Sequence, residues 1–336
     1  MRFRTYIRTI ISLSFFILLT TLSTGCQNES ENEGHLIYIT RYDKLQSNYA
    51  LNKDNGSFIK MKRSYPQETS ILYENVLSLG KSEDPQMEDK LYTFYSDTTL
   101  QRVIKDVEKN FGDISYIEDS LNIAFAWLKH QLPTLKIPTV YTQISALKQS
   151  IVVSDSLVGI SLDKYLGEDY PLYAQYYDPY QRRSMNAGRI APDALFYYLC
   201  SEYLNKQSPS TFAERLVNVG KIQWIVYKAL GYKQLQESMG YTKEEGEWME
   251  NNENKVWYYL MNNQLLTQPT NPEHEWMEGE YLKNYFHTNV PLYMPAWMGA
   301  RLVAHYMKEN KNTTILQLLE TDYKLIYQTA GFSFLK

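Results

Sequence analysis

The residues that most resemble part of a catalytic motif are a histidine and a glutamate in the segment PEHEWMEGE. His274 and Glu275 match the start of a zinc-peptidase helix, in which a second histidine four residues later binds the same metal from the same helix face. Glu278 occupies that later position, and Pro269 and Pro272 favour a loop. A carboxylate can bind zinc, so a metal site stays open as the less favoured alternative to a solvated loop.

Other catalytic sets are incomplete in this sequence. It has no Gly-x-Ser-x-Gly elbow, no P-loop and no Gly-x-Gly-x-x-Gly fingerprint. The paired acids Glu244-Glu245 and the nearby Glu250 and Glu253 indicate solvated helix faces. Cys200 lies in an apolar helical context, which favours a buried structural cysteine over a reactive thiol. The sequence therefore predicts a protein that is not an enzyme and that uses no cofactor or metal.

Positive charge and aromatic residues coincide in the segment YDPYQRRSMNAGR. Arg182, Arg183 and Arg189 could bind a carboxylate or a phosphate through forked hydrogen bonds, and the neighbouring tyrosines could stack on these arginines or on a sugar. The alternative is that the arginines form internal ion pairs. The acids considered as partners are Asp163, Asp169 and Asp193.

The spacing of apolar residues predicts helices around a small sheet. Apolar residues alternate along HLIYITRYDK, which predicts a first strand. The segments IPTVYTQIS, QSIVVSD and LVGISLDKYLG predict three short strands in an antiparallel meander. Helical spacing marks LQRVIKDVEKNFGD, SLNIAFAWLKHQLP and most of the chain after residue 190. The predicted fold class is α+β, predominantly helical, with a small antiparallel sheet packed among helices.

The N-terminal residues have the pattern of a lipoprotein signal peptide. A basic start precedes an apolar run over residues 10–22, which is shorter than the roughly 20 residues that span a membrane. The run leads into Thr24-Gly25-Cys26, the layout of a lipobox, in which Cys26 receives acyl chains and becomes the first mature residue. Ser23 replaces the leucine preferred there, which leaves an ordinary secretory signal as the alternative.

Three segments follow from this pattern. Residues 1–25 are the predicted signal peptide, residues 26–34 a lipidated cysteine with a flexible acidic tether, and residues 35–336 a single globular domain. The acidic tether resembles the export signal of lipoproteins carried to the outer face of the outer membrane, so we expect a lipid anchor in the outer membrane, on either face. The formal charge of −4 and scattered basic residues argue against nucleic-acid binding.

Several segments in series resemble the GldB-type gliding-motility lipoproteins of Bacteroidota. They are VYTQIS, VVSDSLVGISLDKYLG, PYQRRSM with IAPDALFYYL, GKIQWIVYKALG, YTKEEGEWMENNENKVWYYLMNNQLL and PAWMGARLVAHYM. Their order and spacing agree from the anchor to about Tyr327, whereas His35 to about Leu128 matches loosely. The resemblance implies an envelope lipoprotein that supports gliding in motile species and the linked secretion machinery, with other envelope proteins as partners.

The resemblance also implies a fold similar to a zinc-peptidase scaffold, in which a helix with two metal-binding histidines packs on a small sheet. The corresponding helix, IAPDALFYYLCSEYL, has no histidine, and the next helix has Asn218 and Gly220 where an acidic ligand would be expected. We therefore expect a scaffold without its metal ligands, whose cleft is reused for binding. The residues expected at this cleft are Asp163, Tyr165, Arg182, Arg183, Asp193, Trp297 and Arg301.

The leading hypothesis is thus a non-catalytic lipoprotein that scaffolds or recognises envelope proteins. Two alternatives stay open. One is a divergent metallopeptidase or other hydrolase with unrecognised ligands. The other is a glycan-binding lipoprotein, suggested by thirty tyrosines and six tryptophans, since such side chains are common where proteins meet other molecules. The sequence assigns no small-molecule ligand.

Overall fold

The computed structural model describes residues 36–204, 209–269, 280–286, 290–291 and 293–331. The predicted signal peptide, Cys26 and the acidic tether lie outside the described residues, and so do His274, Glu275 and Glu278. The predicted division of the chain into three segments therefore stays a prediction. In the described ranges, none of the helices is long and apolar enough to cross a membrane.

Within those ranges a sheet of four strands lies among the helices, in the order β1-β2-β4-β3. The strands are β1 (Ile39–Thr40), β2 (Thr139–Gln143), β3 (Ile151–Ser154) and β4 (Leu157–Ser161). β1 runs parallel to β2, and β2 runs parallel to β4, while β3 and β4 are antiparallel. The sheet is mixed, so the predicted antiparallel arrangement is wrong for the first two pairings.

Burial explains why the meander does not form. All five residues of β4 are buried, whereas all four residues of β3 are only partly buried. The more deeply buried β4 takes the central place beside β2, and the hairpin leaves β3 at the edge. Because β3 reverses the chain between β2 and β4, those two strands run in the same direction. Gly159 is needed on β4, since a Cβ there would lie 2.6 Å from the ring of Tyr141 on β2.

The chain between β1 and β2 folds into helices. They are α1 (Tyr42–Asn52), α2 (Asn55–Ser64), α3 (Pro66–Ser70), α4 (Met87–Tyr95), α5 (Thr98–Asn110) and α6 (Ser115–Gln131), with a π-helical turn at Ile71–Val76. The predicted first strand is confirmed only at Ile39–Thr40, because α1 begins at Tyr42. Asp43 in its first turn is fully buried and paired with Arg41, which anchors the start of α1 at this point.

The second half of the chain is helical, as the sequence predicts. Its helices are α7 (Pro179–Arg183), α8 (Ile190–Tyr203), α9 (Phe212–Ala229), α10 (Leu235–Ser238), α11 (Lys243–Asn262), α12 (Glu280–Phe286), α13 (Met294–Glu309), α14 (Ile315–Glu320) and α15 (Tyr323–Gly331). Thr211, Thr242 and Thr314 cap α9, α11 and α14 by accepting a backbone N–H from the first turn. The predominantly helical fold with a small embedded sheet is confirmed.

Helices α9 and α13 cross with their backbones in direct contact. A Cβ added to Gly299 would lie 2.0 Å from the carbonyl oxygen of Leu216, and one added to Gly220 would lie 2.2 Å from the carbonyl carbon of Gly299. Only glycine fits at both positions, because the obstructing atoms belong to the backbone. This crossing fixes α9 and α13 relative to each other.

Candidate functional site

A cavity of about 630 Å³ lies among α7, α8, α9 and the start of α13, a volume within the range of ligand sites in proteins. Arg183, Arg189 and Arg215 line it together with one acid, Asp193, and we call it the arginine cavity. Its other lining residues are Ser150, Gln181, Ser184, Phe196, Tyr197, Val219, Gln223, Met239, Gly240, Tyr241, Tyr293 and Ala296.

Helix α8 presents a stripe of polar side chains to the cavity. Arg189, Asp193 and Tyr197 recur every fourth residue from the N-cap of α8, which places them on one helix face. Arg189 Nη2 donates to Asp193 Oδ1 at 2.6 Å, and Nη1 donates to the carbonyl of Ser238 at 2.6 Å. The hydroxyl of Tyr165 donates to Asp193 Oδ2 at 3.2 Å from behind. Both members of the ion pair are therefore held in one orientation.

Burial and charge oppose each other in this ion pair. Burial raises the pKa of Asp193, and the charge of Arg189 and the hydrogen bonds from Arg189 and Tyr165 act in the lowering direction. Burial also acts to lower the pKa of Arg189, but the carboxylate of Asp193 outweighs it, so that pKa is raised. The short charged contact favours an ion pair at neutral pH, because each buried charge is stabilised mainly by the other, with Tyr165 and the Ser238 carbonyl as further hydrogen-bond partners.

A second ion pair joins α7 to the first turn of α11. Arg183 Nη1 contacts Glu245 Oε1, and the other carboxylate oxygen of Glu245 accepts the backbone N–H of Thr242 at 3.0 Å. About a third of the Arg183 side chain is exposed, so this pair is partly screened by solvent. The carboxylate of Glu245 nevertheless compensates the positive charge of Arg183 in the cavity wall.

The third arginine has no such compensation. Arg215 lies on α9 with Val219 and Gln223, again at intervals of four residues. It is half-buried, and burial, the sole influence on its pKa, lowers that pKa. In the part of the chain that the structure describes, its guanidinium has no hydrogen-bond or ion-pair partner. The arginine cavity thus combines two internally paired arginines with one unpaired arginine.

A family model described as gliding motility protein GldB matches residues 26–334, nearly the whole chain. The chain belongs to the GldB family. This membership confirms the resemblance seen in the sequence and connects the protein with gliding motility and with lipoproteins. No curated protein and no solved structure matches the chain, so the predicted similarity to a zinc-peptidase scaffold stays a prediction.

In this GldB-family protein, three of the seven predicted cleft residues meet at the arginine cavity. Arg183 and Asp193 line it, and Tyr165 supports Asp193 from the buried side. The predicted internal ion pairing is found for Arg189 with Asp193. Arg183 pairs with Glu245 instead of one of the acids considered as its partners. Whether these residues bind a ligand stays a prediction.

Asp163 has a different position from the one expected. It is fully buried, and its carboxylate accepts the backbone N–H groups of Ser145 at 2.8 Å and Leu147 at 2.6 Å. Ala146 and Leu147 both have left-handed backbone angles, with φ of 53° and 65°. Burial raises the pKa of Asp163, and the two backbone donors oppose that rise. Asp163 therefore holds a strained turn and is not among the residues that line the cavity.

The remaining three predicted residues also lie away from the lining. Trp297 is fully buried in α13. The guanidinium of Arg301 stacks over its ring at 5.4 Å and donates to Glu253 at 2.9 Å, so the ion pair of Arg301 with Glu253 joins α13 to α11. Arg182 Nε is buried without a hydrogen-bond partner among the described residues. Cys200 is half-buried, and burial raises the pKa of its thiol to about 12, as expected of an unreactive cysteine.

The sequence reasoning missed the α9 side of the cavity. Arg215 and Gln223 were not singled out, although their spacing of eight residues, with Val219 midway, places them on one face of a predicted helix. Tyr197 was missed in the same way, one turn after Asp193. Among the described residues, no group of three or more histidine, cysteine or acidic side chains is placed to hold a metal ion.

Proposed function

We propose that this GldB-family protein is a non-catalytic, lipid-anchored envelope protein that supports gliding-motility or secretion machinery by recognising a partner. The observation that carries the proposal is the family match, which begins at Cys26 and extends to residue 334. The cysteine at which the match begins is the one that the lipobox pattern selects for acylation. Family and anchor signal thus indicate the same kind of protein.

The chemistry of the arginine cavity supports recognition over catalysis. General acid–base groups work best with a pKa near the operating pH. The cavity instead contains arginines and tyrosines, and burial raises the pKa of Tyr197 and Tyr241 further above neutrality. Such groups keep their protons and act as hydrogen-bond donors. Asp193, the acid in the lining, is already engaged by Arg189 and Tyr165.

The anchor places the protein at the outer membrane in this proposal. Two or more acyl chains on Cys26 would give stable attachment, since each buried methylene contributes about 0.8 kcal/mol and one chain alone binds marginally. The acidic residues that follow Cys26, including Glu29, Glu31 and Glu33, favour export beyond the inner membrane. The tether that their polar composition predicts would let the folded part reach partners near the membrane surface.

The test uses the two cysteines as a matched pair. In the native host, a proximity-labelling tag on the full chain is compared with the same chain carrying Cys26→Ala or Cys200→Ala. We expect wild type and Cys200→Ala to incorporate labelled palmitate, to fractionate with the outer membrane and to capture motility or secretion proteins. Cys26→Ala should lose all three. Palmitate incorporation into Cys26→Ala, or capture of the same neighbours without an anchor, would contradict the proposal.

A further inference from the structure

We propose that the arginine cavity binds a carboxylate carried by an acidic peptide segment of a protein partner. This inference deepens the proposed function and rests on it in one respect, namely that the protein acts by recognition. The cavity itself carries the chemical argument, which involves charge, hydrogen bonding and size.

Among the described residues, the cavity wall has one uncompensated positive charge, which a single anionic group would neutralise. Arg189 is compensated by Asp193 and Arg183 by Glu245, whereas Arg215 has no partner in the described part of the chain. The five charges therefore sum to +1, from three arginines against two acids. A ligand that brings one carboxylate would neutralise the site, and a strongly anionic ligand would exceed what the wall offers.

Hydrogen-bond geometry suits a carboxylate at Arg215, and the net charge of +1 favours it over a doubly charged phosphate. The guanidinium presents a planar fork of donors that matches the two oxygens of a carboxylate. Because Arg215 is half-buried, such a bond would form at lower dielectric than in bulk water and would be stronger. The unmade bond also has a cost, since a partly desolvated donor without a partner is unfavourable. Ligand binding would remove that cost.

The rest of the lining suits a peptide. Gln223 offers both an amide donor and an acceptor, and the hydroxyl of Tyr197 lies on a side chain that is half exposed. These groups can pair with the backbone of an extended segment. Phe196, Val219 and Met239 add apolar surface for neighbouring side chains. A cavity of about 630 Å³ is also far larger than a single inorganic anion requires, since one water occupies about 30 Å³ of liquid.

The experiment selects peptides with the full chain in detergent micelles as bait. The probe is a phage-displayed library of random octapeptides, and the enriched sequences are resynthesised with a fluorescent label for polarisation measurements. Binding is compared among wild type, Arg215→Gln, Arg215→Lys and Arg63→Gln. Arg63 is exposed and lies outside the cavity lining, so it controls for loss of one positive charge. Thermal unfolding of each variant checks that it is folded.

We expect enrichment of peptides with one or two acidic residues beside an apolar one. Arg215→Gln should weaken their binding on the order of ten- to hundredfold, as expected for loss of a hydrogen bond between charged groups. Arg215→Lys should restore part of the affinity, because the charge returns without the fork. Arg63→Gln should bind like wild type, and amidation of the peptide's acids should abolish binding.

Three outcomes would overturn the inference. They are enrichment of peptides without acids, equal binding by Arg215→Gln and wild type, and Arg215-dependent binding of oligogalacturonate with no peptide selected. The last would identify an acidic glycan as the ligand class. Failure here is separable from failure of the proposed function. If only the cavity inference fails, Arg215→Gln captures the same envelope neighbours in cells. If only the proposed function fails, peptides bind but Cys26→Ala changes nothing.

Discussion

Replacing Gly299 by alanine tests the backbone contact that holds the two cavity-forming helices α9 and α13. The added Cβ would lie 2.0 Å from the carbonyl oxygen of Leu216, whereas carbon and oxygen atoms in close contact are normally about 3.3 Å apart. The helices would have to separate locally by roughly 1.3 Å, which forfeits about half of the dispersion energy of the contacts at the crossing. No side-chain rotation can relieve the clash, because the obstructing carbonyl group of Leu216 belongs to the backbone.

The expected loss of stability follows from two opposed terms. Overpacking of a well-packed site costs about 1–3 kcal/mol, occasionally more, and the backbone clash places Gly299→Ala at the upper end. Alanine gains about 1 kcal/mol over glycine in a helix interior. We expect a net loss of roughly 2–3 kcal/mol in the free energy of unfolding, and a melting temperature lower by about 4–9 °C.

The assay is urea and thermal unfolding of the full chain in detergent, with Gly246→Ala as the matched control. Gly246 is also inside a helix, α11, so it receives the same gain in helix propensity. Its new Cβ would meet the buried Gln236 side chain, at 2.7 Å from Cγ, so relief needs a change of that side-chain rotamer but no separation of two backbones. The control should therefore lose less than about 1 kcal/mol. A Gly299→Ala protein as stable as the Gly246→Ala protein would refute the contact between the two helices.

Three further predictions concern buried polar groups. Lys221 is buried and donates to the carbonyls of Leu319 and Thr321, and burial lowers its pKa to about 8. Between about pH 8 and 10.4 the unfolded chain binds more protons at Lys221 than the folded chain does, so the free energy of unfolding rises with pH. Lys221→Met should remove a rise on the order of 2 kcal/mol, measured by urea titrations at a series of pH values. An unchanged pH profile would contradict this prediction. Tyr73→Phe removes a buried hydroxyl without a hydrogen-bond partner in the described chain, so urea unfolding at pH 7 should show equal or up to about 1 kcal/mol greater stability, and a clear loss would reveal a missed partner. Asp163→Ala leaves the buried amide of Ser145 and the partly buried amide of Leu147 unsatisfied and should cost about 3 kcal/mol. Replacing the exposed Asp169 by alanine should change unfolding by less than about 0.5 kcal/mol, and equal effects would contradict the role of the turn.

The sequence predicted what depends on local spacing and missed what depends on pairing between distant residues. The helices α8, α9, α11 and α13 follow from apolar periodicity, and α9 and α11 also begin after capping threonines. The order of the strands does not, because β3 and β4 have similar patterns, and only burial against the helices decides which becomes central. The antiparallel prediction was wrong for this reason.

The same distinction applies to the cavity. The pair of Arg189 with Asp193 spans four residues and could be proposed from the sequence, whereas the pair of Arg183 with Glu245 spans 62 residues and could not. Trp297 was expected at the cleft because it lies in PAWMGARLVAHYM, one of the segments that resemble the family. It is buried instead, since its helix packs closely on α9 and the side chain fills the core.

The three arginines of the cavity play unequal parts, and this inequality is the strongest indication of function in the fold. Arg183 and Arg189 are tied to acids, so their charges shape the wall and contribute to the folded state. Arg215 is partly desolvated and receives no compensating charge from any residue that the structure describes, which makes it unfavourable for stability alone. Natural proteins keep such residues mainly where they serve another purpose. Arg215, the cavity arginine without an acidic partner among the described residues, is therefore the group at which we expect the partner's carboxylate to bind.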